Sequence, residues 1–74
     1  MELSSENDFL IAFGTNLKKV RRANGFTQEQ LANDIGIEIS QISRIERGVI
    51  STSISNVFKI SRVLQVDIQD LFSF

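Results

Sequence analysis

The chain has 74 residues and lacks Cys, His, Pro, Trp and Tyr altogether. Each absence removes chemistry. Without Cys there is no disulfide framework and no thiolate zinc site. Without His the commonest general base, the usual hydrolase triads and the imidazole metal ligands are gone as well. The remaining carboxylates are scattered, and a domain this small has little room for a deep pocket. These features argue against an enzyme and lead us to expect no cofactor and no metal. Glycine is sparse, at 4 residues, and proline is missing, which suits helices joined by short connections. The longest apolar run is Phe9–Phe13, far short of the roughly 18 residues of a membrane span. It follows an acidic segment rather than the basic start of a signal peptide. A cytoplasmic protein with no membrane partner is the expectation, and one domain fits the length.

Net charge is small, but the charges are unevenly placed. The formal net charge is −1. Residues 13–64 nevertheless hold all 8 Lys and Arg against Glu29, Asp34, Glu38 and Glu46, a local balance of +4. The acidic ends, with Glu2, Glu6 and Asp8 before and Asp67 and Asp70 after, mask this basic middle. Phosphate binding depends on the local patch more than on the total.

What is present is helical periodicity. Residues 1–8 read as a flexible N-terminus and 9–74 as the domain. A first helix is expected from about Asp8 to Ala23 or Asn24. Leu10, Phe13, Leu17 and Val20 make its apolar stripe, and Asn24-Gly25 makes its stop. Phe9 and Ile11 widen that stripe or meet a partner. Lys18, Lys19, Arg21 and Arg22 crowd its last turns, where cations also complement the helix dipole. A second helix fits Gln28 to Ile35, with Thr27 and Gln30 as a capping box. Leu31 and Ile35 face inward, and Ala32 allows close approach of another helix. Gly36 supplies a tight turn. A third helix fits Ile39 to Arg47, with Ile42 and Ile45 inward and Gly48 as its stop. Ser53 caps a fourth helix, Ile54 to Leu64, whose buried stripe is Ile54, Val57, Ile60 and Leu64. Asp67 and Asp70 cap a fifth, Ile68 to about Phe72. Lys59 and Arg62 read as ordinary surface charge. The expected fold is all-α, a compact five-helix domain.

The stretch Thr27–Gly48, TQEQLANDIGIEISQISRIERG, then reads as a helix-turn-helix. Successive residues turn about 100° around a helix. With Ile42 and Ile45 inward, the third helix turns Ser40, Ser43, Arg44 and Arg47 outward. Small hydroxyls and long cations suit a groove lined with base edges and phosphates, and Arg pairs bidentately with guanine. Ile39 in the first turn is placed to meet a thymine methyl. The start of the second helix, with Thr27, Gln28 and its free N–H groups, suits a phosphate. Arg47, Ser51, Thr52 and Ser53 offer a second phosphate site.

Taken in order, FGTNLKKVRRANGFTQEQLA, then Ala32 and Gly36, then ISRIERG and the tail NVFKISRVLQVDIQDLF, resemble the Cro and phage-repressor family of small bacterial regulators. The resemblance covers about Phe13 to Phe72 and implies a lambda-repressor-like fold with the helix-turn-helix at helices 2 and 3. It implies base reading by Ile39, Ser40, Ser43 and Arg44 and phosphate contact by Gln28 and Arg47. It also implies a structural salt bridge between Arg21 and Glu46. Glu38 stands where relatives usually carry a Ser or Thr cap, Ile39 where they carry a polar reader, Thr52 for a frequent Pro and Gln65 for a frequent Gly. The expected function is a sequence-specific transcriptional regulator of double-stranded DNA, acting as a homodimer without a small-molecule effector. Phe58, Val63, Phe72 and Phe74 are candidate dimer contacts. Restriction–modification controller proteins, phage repressors and small antitoxins all fit such a minimal chain. The alternative is a protein-interaction module of the antitoxin kind.

Overall fold

The computed structural model describes residues 5–74. Small polar residues set where its helices start. Ser5 caps α1 (Glu6–Ala23), its hydroxyl accepting from Asp8 N at 3.1 Å. α1 thus begins inside the segment 1–8 expected as a flexible N-terminus, two residues before the expected Asp8, where the Ser5 cap and the acids Glu6 and Asp8 stabilise a helix start. Residues 1–4 of that segment lie outside the described residues. Thr27 caps α2 (Gln28–Ile35) in a reciprocal box: its hydroxyl accepts from Gln30 N at 3.0 Å, and Thr27 N donates to Gln30 Oε1 at 2.9 Å.

Gly36, at φ 77°, makes the turn into α3 (Ile39–Glu46), a left-handed conformation that glycine adopts without strain. Glu38 starts α3, but the bond there comes from Gln41, whose Oε1 accepts from Glu38 N at 3.2 Å. Arg47 closes α3 as its cap instead of extending it. Ser53 Oγ accepts from Asn56 N at 3.0 Å to start α4 (Ile54–Leu64).

The last element, Ile68–Phe72, is a 3-10 helix, not a fifth α-helix. Five residues leave almost no room for i→i−4 bonds, so the tighter i→i−3 pattern prevails. The described residues therefore form four α-helices and one 3-10 helix.

Every element contributes to one core. Leu17, Leu31, Ile42, Ile60, Leu64 and Leu71 are fully buried, and they come from α1, α2, α3, α4 and the 3-10 helix. Leu10 and Val20 lie at the half-buried edges of the α1 stripe. Ile54 does not join the core and is 77% exposed. The buried face of α4 runs through Val57, Ile60, Ser61 and Leu64. Ile54, in the first turn, lies about 70° from the centre of that face at about 100° per residue. Ser61 is buried in its place, with its hydroxyl donating to the Phe58 carbonyl at 2.7 Å. Asn16, also buried, donates from Nδ2 to the Asp70 carbonyl at 2.9 Å and ties the 3-10 helix to α1.

α1 and α3 approach closely at Gly14. A Cβ there would lie 2.3 Å from the Ile45 carbonyl oxygen and 2.5 Å from that of Glu46. This contact sets the height of α3 above α1.

Candidate nucleic-acid interface

The amphipathic pattern of α3 decides which side chains are free. Ile42, Ile45 and Glu46 are buried, so the opposite face must look outward. Ile39 is 46% exposed there, Ser40 and Arg44 are exposed, and Ser43 is half-buried. Arg44 and Arg47 have no acid paired to them among the described residues. Ser40, Ser43 and Arg44 thus share one outward strip with Ile39 at its flank, and the two smallest side chains allow close approach of a groove wall.

The candidate phosphate contacts are less uniform. Thr27 and Ser53 are exposed, and each hydroxyl already accepts a helix-capping bond. A hydroxyl that accepts a cap bond keeps its own O–H for another acceptor. Thr52 is half-buried, and its Oγ1 accepts from Asn56 Nδ2 at 3.1 Å. Ser51 and Arg47 are exposed. Gln28, at the first position of α2, is half-buried and donates from Nε2 to Glu46 Oε1 at 3.0 Å. This bond joins the start of α2 to the end of α3. In the first turn of α2, helix geometry leaves the N–H groups of Gln28 and Glu29 without an intrahelical acceptor.

Glu46 also pairs with Arg21. Its Oε2 accepts from Arg21 Nε at 2.6 Å and its Oε1 from Arg21 Nη2 at 3.0 Å, with both side chains almost wholly buried. Arg21 Nη1 donates to the Phe26 carbonyl at 2.7 Å. Each of the three guanidinium nitrogens thus donates to an acceptor within the protein. Arg21 is therefore part of the scaffold that holds α1 to α3.

Of the candidate dimer residues, Phe58 is 57% exposed and Val63 half-buried. Phe72 and Phe74 pack within the chain: Phe72 lies 5.1 Å from Phe13 and Phe74 5.6 Å from Phe9, between ring centroids. Both remain partly exposed. Sequence reasoning missed Gly14, whose importance lies in the α3 backbone it faces, and the bond from Gln28 to Glu46. Neither has a local signal. No group of three or more Asp, Glu, His or Cys side chains suited to a metal occurs among the described residues. No helix among them is long and apolar enough to cross a membrane.

Comparison with known proteins places this arrangement. A helix-turn-helix family model matches residues 17–71. The control protein C.BamHI of Bacillus amyloliquefaciens is 35% identical over 69 residues, spanning 92% of this chain and 85% of that protein. The crystal structure of the restriction-modification controller protein C.AhdI from Aeromonas hydrophila is similar at a TM-score of 0.87 and 32% identity, covering 92% of this chain and 99% of that one. The biofilm regulator SinR, solved in complex with DNA, is similar at a TM-score of 0.75 and 32% identity, over 82% of this chain and 98% of that one. The chain belongs to the helix-turn-helix family that these regulators share.

Proposed function

We propose that this protein is a sequence-specific, double-stranded DNA-binding transcriptional regulator that reads an operator with α3. The observation that carries this reading is the division of α3 into a buried face and an exposed strip of Ile39, Ser40, Ser43 and Arg44. Arg44 hydrogen-bonds a guanine edge, Ser40 and Ser43 let the backbone approach the groove, and Ile39 meets a thymine methyl. Thr27, Gln28, Arg47, Ser51, Thr52 and Ser53 contact phosphates on either side and fix the register. Binding near a promoter blocks or recruits polymerase. The site of action is the cytoplasm, without cofactor or effector.

The functional unit is a two-fold dimer. One domain measures 33 × 23 × 20 Å, so two abutting copies can place their α3 helices roughly one helical turn of DNA apart, ~34–36 Å. The exposed Phe58, together with Val63, Phe72 and Phe74, supplies the apolar surface for that contact. Selection from random duplexes at moderate salt tests both parts. The expected product is a motif with two half-sites in inverted repeat. Recovery of no motif overturns the DNA-reading function, and recovery of a single unrepeated half-site overturns the dimer.

A further inference from the structure

Glu46, the last residue of α3, has a fully engaged carboxylate. Oε2 accepts from Arg21 Nε, while Oε1 accepts from both Arg21 Nη2 and Gln28 Nε2. The cluster joins the last turn of α1, the first residue of α2 and the last residue of α3. A salt bridge between α1 and α3 needs only the first two side chains. The third contact falls on the residue that opens α2 beside the reading helix.

We propose that Glu46 is a positioning residue for DNA binding: it holds the Gln28 amide so that its second N–H faces a DNA phosphate. The inference rests on the reading of Gln28 as a phosphate contact. A carboxylate only accepts hydrogen bonds, so the end of the amide facing Glu46 must be the NH2 group. One N–H goes to Glu46, and the other is left for a phosphate oxygen. With the amide turned over, its carbonyl oxygen would face one anion in the protein and a second in the DNA. The single contact thus selects the amide orientation and removes the rotational freedom of a flexible side chain before DNA arrives.

Arg21 completes the device. A bare Glu46 carboxylate would repel the phosphate it helps to place. The guanidinium, bonded to both carboxylate oxygens, balances that charge while leaving Oε1 able to accept from Gln28. Arg21 in this way supports DNA binding from a buried position that DNA does not touch.

The test is a double-mutant cycle between positions 28 and 46 in the full chain, using the duplex recovered by selection. Glu46→Asp keeps the charge and withdraws the carboxylate by one methylene. The long Arg21 side chain follows it, whereas Gln28, fixed on another helix, loses its acceptor. Affinity is measured well below each variant's unfolding midpoint, with the folded fraction checked by circular dichroism. Glu46→Asp is expected to weaken binding about tenfold, the equivalent of re-immobilising one glutamine, and by the same factor on selected and unselected duplexes. In the Gln28→Ala background that loss disappears, while a drop in Tm persists there, smaller only by the one hydrogen bond that Gln28→Ala has already removed. Equal losses of affinity in both backgrounds mean a purely structural role for Glu46 and overturn the proposal. If Gln28→Ala alone leaves affinity unchanged, the phosphate assignment fails, and the proposal with it. Should Glu46→Asp not fold, relaxation of the side-chain amides in the DNA-free protein decides. The Gln28 NH2 group is expected to be ordered, and mobility equal to that of the exposed Gln69 overturns the proposal.

Discussion

Gly14→Ala sets a local gain against a packing loss. In the interior of a helix Ala is better than Gly by about 1 kcal/mol. On propensity alone the variant would be more stable than the wild type. The backbone of α3 opposes this. The new Cβ would meet the Ile45 carbonyl oxygen at 2.3 Å, the Glu46 carbonyl oxygen at 2.5 Å and the Glu46 carbonyl carbon at 2.7 Å. All three are backbone atoms, so no side-chain rotation relieves the overlap. Tolerated C···O contacts begin near ~3.3 Å, which requires α3 to retreat by about 1 Å. That retreat loosens Ile42 and Ile45 in the core and draws Glu46 away from Arg21. Overpacking alone costs ~1–3 kcal/mol, and opening a buried ion pair adds to it. We expect a net loss of about 2 kcal/mol or more, out of roughly 4–11 kcal/mol for a chain of 74 residues. The melting temperature should fall by about 10 °C. Urea and thermal unfolding followed by circular dichroism measure both quantities. A variant as stable as the wild type, or more so, refutes the close α1–α3 approach and the reasoning built on it.

Four further outcomes are expected. Arg21→Ala leaves the Glu46 carboxylate buried without its cation and should lower unfolding free energy by ~3–5 kcal/mol. A loss below about 1 kcal/mol in urea titration would show that the pair is not a stability element. Gln65→Gly should raise stability by about 0.5–1 kcal/mol, because Gln65 sits at φ 57°, a left-handed conformation costly for a side-chain-bearing residue. A drop in Tm would contradict it. Arg44→Ala should change stability by no more than about 0.5 kcal/mol yet erase ~1–3 kcal/mol of discrimination at one base pair, read by competition between duplexes. Phe58→Asp should shift the protein toward monomer in sedimentation without lowering helix content, and an unchanged dimer would remove Phe58 from the interface.

What could be read in advance was local. Thr27 with Gln30, and Ser53, fix the starts of α2 and α4 through bonds to residues three positions away, so a short window of sequence contains the whole cause. The exposed strip of α3 follows from the helical repeat once Ile42 and Ile45 are taken as core. The failures are at margins and across distance. Ile54 has the chemistry of a core residue but sits in a first turn, off the centre of the buried face. Ser61 and Asn16 look like surface residues, and their burial depends on the Phe58 and Asp70 carbonyls that satisfy them. Gly14 looks like a weak point in a helix until the backbone of Ile45 and Glu46 is placed against it. The pairing of Arg21 with Glu46 came from family resemblance, since nothing in a spacing of 25 residues requires it. The bond from Gln28 was hidden for the same reason, its acceptor lying 18 residues away on another helix.

If the exposed face of α3 reads DNA as proposed, its split into two faces makes recognition heritable separately from folding. Ile39, Ser40 and Arg44 contact solvent rather than core, so exchanging them leaves the free energy of the domain nearly constant. After a gene duplication, two copies can drift to different operators without passing through an unfolded intermediate. The same freedom defines a compact combinatorial library for retargeting. Gln41 stays out of it because it holds the Glu38 backbone N–H, and half-buried Ser43 admits only small replacements.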